Sequence, residues 1–239
     1  MRHVNNTSKP LVFVGTNIVL WLTVNTCKEI GYTIAGIIDD DYHEQGHFHG
    51  IPILAKEQDL IDNATQLSQY QFICTTNWQP PELKYPQHNR NKQKRERLIA
   101  LLEQSGLEIA SIMHPSCQFG NYENTIGKGV IIEAGSLIAP FATIGDWATI
   151  LQWVGIGDGT RIGRNCVIQR SAIITGDINV EDECYIGMSA KLFRDGINIG
   201  RGTFVHPGLM LMRNTQPNET VSLAGKDLRR VYDYGHIQG

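Results

Sequence analysis

The chain lacks most of what would mark a secreted, membrane-bound or nucleic-acid-binding protein. Its five cysteines, Cys27, Cys74, Cys117, Cys166 and Cys184, are odd in number, widely spread and never spaced as CxxC, which argues against a disulfide framework and against a structural zinc site. No run of about 18 apolar residues occurs, and the first ten residues lack the apolar stretch of a signal peptide. Charged residues make up only 19%, and 21 Lys and Arg nearly balance 24 Asp and Glu in a chain of net charge -3. With no basic block, nothing draws the chain toward a phosphate backbone. The expectation is a soluble, cytoplasmic protein with no nucleic-acid or membrane partner and no bound metal. Its 239 residues, 41% of them hydrophobic, suffice for one large domain or two small ones.

What the second half does have is a period. Stepping by six from Ile126 gives Ile132, Ile138, Ile144, Ile150, Ile156, Ile162, Ile168, Ile174, Val180, Ile186 and Leu192, all aliphatic. About a quarter of the chain is Ile, Leu or Val, so twelve such hits in a random register have a probability of roughly a quarter to the twelfth power. Four residues after most of them comes a small side chain: Ser136, Ala142, Ala148, Thr160, Cys166, Ala172, Cys184 and Ala190. An α-helix cannot keep residues six apart on one face. A parallel β-helix can, with three hexapeptides per triangular coil and both the aliphatic and the small residue turned inward. Cys117, Cys166 and Cys184 are then packing residues. The register breaks once, at Phe193-Arg-Asp-Gly-Ile-Asn198, and resumes one residue late with Ile199, Val205 and Leu211. That insertion reads either as an accommodated defect or as a corner loop that shapes a ligand site.

The front half reads as α/β. Leu11-Val-Phe-Val14 predicts a strand, the segment to Gly31 a helix, and Tyr32 to Ile38 a second strand ending in Asp39-Asp-Asp41, the opening βαβ of a parallel sheet. Gln71 to Thr76 predicts a further strand, Asn91 to Gln104 a charged helix, and Leu107 to Met113 the last strand. Gly15 alone falls short of a GxGxxG dinucleotide fingerprint. Carboxylates at the end of a second strand can still hold ribose or base groups, so Asp39 and Asp40 are candidate nucleotide contacts, or else solvated turn acids. His43, His47 and His49 lie in one loop without further ligands at metal spacing. The chain divides into residues 1–110 and 111–239.

This order of parts resembles the PglD/NeuD-type acyltransferases that modify nucleotide-linked amino sugars. The resemblance is carried by Gly-Ile-Ile-Asp-Asp40, Gly50-Ile-Pro-Ile-Leu54, Met113-His-Pro-Ser116, the repeats, and a tail Val205-His-Pro-Gly-Leu-Met-Leu-Met212 leading to Leu223-Ala-Gly-Lys-Asp-Leu-Arg-Arg-Val231. It implies a Rossmann-like nucleotide-sugar domain followed by a left-handed β-helix, assembled as a homotrimer with acetyl-CoA between subunits. The implied reaction is N-acetylation of a nucleotide-linked amino sugar for glycan or O-antigen precursors. The alternatives are a catalytically impaired nucleotide-sugar-binding homologue and an O-acyltransferase.

The resemblance also implies roles for residues. Gly15, Thr16 and Asn17 stand at the turn after the first strand, with Asp39 and Asp40, as substrate contacts. Gly176, Met188 and His206 are the implied cofactor contacts, with the Gly176 backbone N–H facing the thioester. Where the family carries a catalytic His, this sequence has Asp158. That carboxylate accepts or relays the proton, only orients the amine, or caps a corner turn. Trp147 and Trp153 fall at outward positions and are expected in the trimer interface or stacked on a ligand.

Overall fold

The computed structural model describes residues 8–16, 18–78, 80, 88–120 and 122–222. The segment Leu223 to Val231, which contributes to the family resemblance, lies outside them. The front half is a sheet of β1 (Leu11–Val14), β2 (Ile34–Ile38), β3 (His47–Phe48), β4 (Ile51–Ala55), β5 (Gln71–Cys74) and β6 (Glu108–Ile109) in the order β3-β4-β2-β1-β5-β6. All neighbours are parallel except β3 and β4, which form a hairpin. Every residue of β1 is buried, as expected of a central strand covered by helices on both faces. The connections carry α1 (Ile18–Ile30), α2 (Asp59–Asp62), α3 (Ala64–Leu67) and α4 (His88–Ser105). The predicted strands and the charged helix are therefore present. The histidine loop folds as a 3-10 turn over Asp40–Gln45 followed by the β3–β4 hairpin. Among the described residues, no helix is long and apolar enough to cross a membrane.

The second half is a left-handed parallel β-helix whose two-residue strands form three flat sheets. Face one runs Ile112–Met113, Ile131–Ile132, Thr149–Ile150, Val167–Ile168, Tyr185–Ile186, Phe204–Val205 and Thr220–Val221. Face two holds Leu137–Ile138, Gly155–Ile156, Ile173–Ile174 and their stacked partners, and face three holds Thr143–Ile144, Arg161–Ile162 and Asn179–Val180. The second residue of each strand points inward, and from Ile132 to Leu192 every one of them is buried. The small residues four positions later fill the corners and are buried too.

Between them the backbone turns through the left-handed region at every sixth residue. Phe141, Trp147, Trp153, Asn165, Ser171, Asp177, Glu183 and Ser189 have φ from 52° to 62°. A non-glycine residue pays about 1–2 kcal/mol to be there. The corner hydrogen bonds offset this, as where Trp147 N–H donates to the Lys128 carbonyl at 2.8 Å. The insertion lies on a corner, where Gly196 takes up the turn.

Two expectations need correction. The predicted strand Leu107 to Met113 is two strands: β6 belongs to the front sheet, while Ile112–Met113 is the first rung of face one. Alternation across that rung puts Ile112 against the front domain and Met113 inside the prism, so one apolar run serves two cores. Trp147 is fully buried within the chain, beneath α4, with Nε1 donating to Glu103 at 2.9 Å. It does not project toward a partner or ligand.

The front domain covers most of face one, Glu133 on the first edge, and Trp147 and Asn165 on the third. Trp78 packs on Val167, Tyr185 and Phe204, and α1 lies over Glu133. This buried carboxylate accepts hydrogen bonds from Thr23 at 3.1 Å and Thr26 at 2.7 Å, yet burial pushes its pKa above the ordinary 4.5. A carboxyl raised on folding stabilises below its unfolded pKa, and that stability is lost as pH rises through the folded one. Glu133→Gln should therefore match the parent in thermal unfolding near pH 4. At pH 7 it should be more stable by about 2–4 °C, the shift worth roughly 1 kcal/mol in a chain of this size; an unchanged difference between the two pH values would contradict the assignment.

Candidate functional site

The prism has three edges, the first after face one, the second after face two and the third after face three. On the second edge, rung stacking places Pro140, Asp158 and Gly176 in one column. Asp158 is exposed, and no hydrogen bond or ion pair engages its carboxylate among the described residues. Gly176 lies directly above. A Cβ there would stand 3.0 Å from Asp158 Oδ1, so the missing side chain leaves the carboxylate its space. The Gly176 N–H donates to no group among the described residues. The insertion after Leu192 occupies the same edge one coil higher, and Gly196 N–H bonds the Asp177 carbonyl at 3.1 Å. A free acceptor and a free donor thus sit one coil apart under a projecting loop.

Met188 and His206 stand elsewhere, on adjacent coils of the first edge. Met188 is 45% exposed. His206 is half-buried, its ring 5.0 Å from that of Phe204. Within one chain the structure brings Asp158 and Gly176 together and separates them from Met188 and His206. His114, also on the first edge, uses Nδ1 to hold the turn at Ser116 and places Nε2 2.9 Å from Glu29. Face three carries a groove of about 570 Å³ that reaches the third edge, lined by Thr143, Arg161, Asn179, Arg164 and Arg201 among others. Arg164 and Arg201 are paired with Glu103 and Glu183. Arg161 is exposed with no paired carboxylate among the described residues.

In the front domain, strand order reverses between β1 and β5, which is where ligands enter open parallel sheets. Gly15 has φ of 80°, and a Cβ there would fall 1.9 Å from Thr76 Oγ1. Only glycine fits. Thr75 Oγ1 donates to the Gly15 carbonyl at 2.6 Å, whereas Thr76 Oγ1 is fully buried with no partner among the described residues. Thr76 went unnoticed in the sequence, because a Thr at a strand end is ordinary until its neighbours are known. Asn17 lies outside the described residues.

Asp39 is buried and saturated. Oδ2 accepts from Thr16 N–H at 2.7 Å and Thr16 Oγ1 at 2.8 Å, while Oδ1 accepts from Asp41 N–H and from Lys94 at 2.8 Å. It shapes the turn rather than offering a free oxygen. Asp40 is exposed and caps Glu57 N–H at 2.8 Å. Burial by itself would push the Lys94 ammonium down, but its bonds to Asp39 and Asp41 hold it above the ordinary value. Burial also raises Glu57. Asp39, Asp40, Asp41 and Glu57 outnumber Lys94 and Arg97, so this end of the site favours hydrogen-bond donors over phosphate. Among the described residues no group of three His, Cys, Asp or Glu could hold a metal ion.

Solved structures reproduce both halves in one chain. The perosamine N-acetyltransferase of Caulobacter crescentus, in complex with CoA and GDP-perosamine, matches with a TM-score of 0.75 at 20% identity, over 89% of this chain and 93% of that one. The fold is shared with a sugar N-acetyltransferase. WeeI from Acinetobacter baumannii AYE matches with a TM-score of 0.55 at 19% identity, over 90% of this chain and 96% of that one. No protein-family model and no curated protein matches the chain. The two-domain fold expected from the repeats and the βαβ opening is therefore present.

Gly15→Ala tests the tight turn. The overlap with Thr76 and the left-handed backbone should together cost at least about 2 kcal/mol in urea unfolding; a neutral result would mean that β1 ends in a different turn.

Proposed function

We propose that this chain is an acyltransferase that moves an acetyl group from acetyl-CoA to the amino group of a nucleotide-linked amino sugar. The observation that carries the proposal is the second-edge column, where an unengaged carboxylate at Asp158 lies beside an unengaged N–H at Gly176. Acyl transfer needs both. The acceptor nitrogen attacks the thioester carbon, forming the N–C bond. Gly176 N–H stabilises the oxyanion, and Asp158 takes the proton that the nitrogen loses. As the tetrahedral intermediate collapses, the C–S bond breaks and the thiolate is protonated from solvent. A carboxylate is a weaker base at neutral pH than imidazole, so positioning supplies most of the acceleration. Arg161, close along the chain on face three, suits the CoA phosphates. Met188 and His206 serve the cofactor only from the first edge.

The nucleotide is read at the β1–β5 crossing by Gly15, Thr16, Asn17, Thr76 and Asp40, with Asp39 bracing the turn. The matched acetyltransferase, solved with CoA and GDP-perosamine, supports this division of labour. On this reading the two sites meet by assembly of subunits. The front domain sits on face one, and the second edge is the edge opposite that face. A sugar held by one front domain therefore reaches Asp158 of a neighbouring subunit. Face two has the surface for such an assembly: Leu137, Ile173 and Met210 are 48%, 44% and 55% exposed, and Phe141, Trp153 and Phe193 flank them. These apolar residues, interrupted on the face by the exposed Lys191 between Ile173 and Met210, call for burial against a partner. We assign that burial to a homotrimer that places the acetyl-CoA cleft between subunits. A second reading, a nucleotide-sugar-binding protein without turnover, is favoured only by Asp158 standing where the resemblance implies a histidine.

Incubation with acetyl-CoA and a panel of GDP-, UDP- and dTDP-linked amino sugars should release free thiol with at least one acceptor. Asp158→Asn should slow that release tenfold or more, and equal rates would remove Asp158 from the chemistry. Stabilisation by a nucleotide sugar, but none by CoA and no thiol release, would favour the binding protein. Ile173→Asp should convert the assembly to monomers by solution mass and abolish turnover; a monomeric parent would sink the shared-site geometry.

A further inference from the structure

The second-edge column contains a proline where the repeat elsewhere uses a backbone donor. Asp146 and Asp182 on the third edge each follow their inward aliphatic residue by two positions, as Asp158 does. Both carboxylates are captured from the coil below: Asp146 Oδ1 accepts Lys128 N–H at 2.9 Å, and Asp182 Oδ1 accepts Arg164 N–H at 2.7 Å. The backbone around Asp158 is built alike. Gly159 N–H donates to the Pro140 carbonyl at 3.1 Å, as Trp147 donates to Lys128 and Glu183 to Arg164, both at 2.8 Å. Residue 140 is the difference. Proline has no N–H, so the donor that holds the other two carboxylates does not exist beneath Asp158. The fold makes room for this proline, because a Cβ on Gly120 one coil lower would fall 2.5 Å from Pro140 Cδ.

We propose that Pro140 is a positioning residue for acetyl transfer: by withholding the backbone donor that caps equivalent acids, it keeps the Asp158 carboxylate free to take the proton released by the acceptor amine. This rests on the functional reading above. A carboxylate held by an N–H has its charged form stabilised and its oxygen turned along the edge. It is then both less basic and worse placed. The residue acts through Asp158 and touches no reacting atom itself.

Pro140→Ala restores the N–H without adding bulk. Amide hydrogen exchange at position 140 of this variant is measured beside the Lys128 and Arg164 amides, and thiol release from acetyl-CoA is followed with the best acceptor of the panel. The new amide is expected to be protected like those of Lys128 and Arg164. The kcat should fall about tenfold, part of the range a general base supplies, with KM for acetyl-CoA within about twofold. Added to Asp158→Asn, the same change should cost less than about twofold further, since both act on one group. Should Pro140→Ala fail to fold, Pro140→Ser carries the same donor and is measured instead. An unprotected amide at position 140 overturns the capping argument whatever the activity. A protected amide with unchanged kcat overturns the part of Pro140 in the reaction. If the unaltered protein transfers no acetyl group, the functional reading has failed, and the positioning role with it; the exchange data then separately decide whether Pro140 leaves Asp158 uncapped.

Discussion

Rung stacking governs this molecule. In a triangular coil closed by three hexapeptides, residue i meets residue i+18 from the next coil, backbone against backbone, with N–H and carbonyl paired across every strand. The interior is then so narrow that each coil admits little beyond three aliphatic and three mostly small side chains, which is why the six-residue pattern is kept so strictly. The same constraint fixes the chemistry. What an edge residue can do depends on the residues 18 before and after it, so Asp146, Asp158 and Asp182, alike in sequence position, meet different fates because Lys128, Pro140 and Arg164 lie beneath them.

The junction between the two domains is built on charge as much as on apolar contact. Arg95 on α4 is fully buried and donates to Asn165 Oδ1 at 2.6 Å and to the carbonyls of Thr76 and Trp147. No carboxylate pairs with it among the described residues. Burial accordingly pushes its pKa down. An unpaired buried cation is costly unless its donors are satisfied, and here they tie the end of β5 directly to the prism. On the rim, the hydrogen bonds from Arg164, more than the one from Trp147, hold Glu103 down at about 2. Both side chains are partly exposed, so solvent screens much of that pair. Thr76 thus adjoins both the Gly15 turn at the end of β1 and the arginine that fastens the prism.

The repeats made the β-helix legible because a period of six repeated over twelve coil faces averages out local exceptions. The front sheet was legible for a different reason: Leu11 to Val14, Ile34 to Ile38 and Gln71 to Cys74 are short apolar runs between turn signals, the pattern of strands covered on both faces. Although the chain was divided at residue 110, the break between two strands at Ala110 and Ser111 was not legible, since Leu107 to Met113 carries one uninterrupted strand-like pattern and the transfer from one sheet to the other leaves no mark in it. The insertion after Leu192 was visible as a slipped register, and its place on the Asp158 edge follows once coils are counted. Trp147 misled because an outward position says nothing about whether another part of the same chain covers it.

The sequence by itself determined the two-part architecture and the inward ladder, because these depend on spacing along the chain, while the candidacy of Asp158 and Gly176 came from the family resemblance. Only the tertiary structure decided that Asp39 is consumed by Thr16 and Lys94, that Thr76 Oγ1 is buried without a partner among the described residues, and that the front domain lies on face one. Those outcomes depend on which groups meet across long separations, where hydrogen-bond capacity and burial are settled by neighbours that no local pattern names.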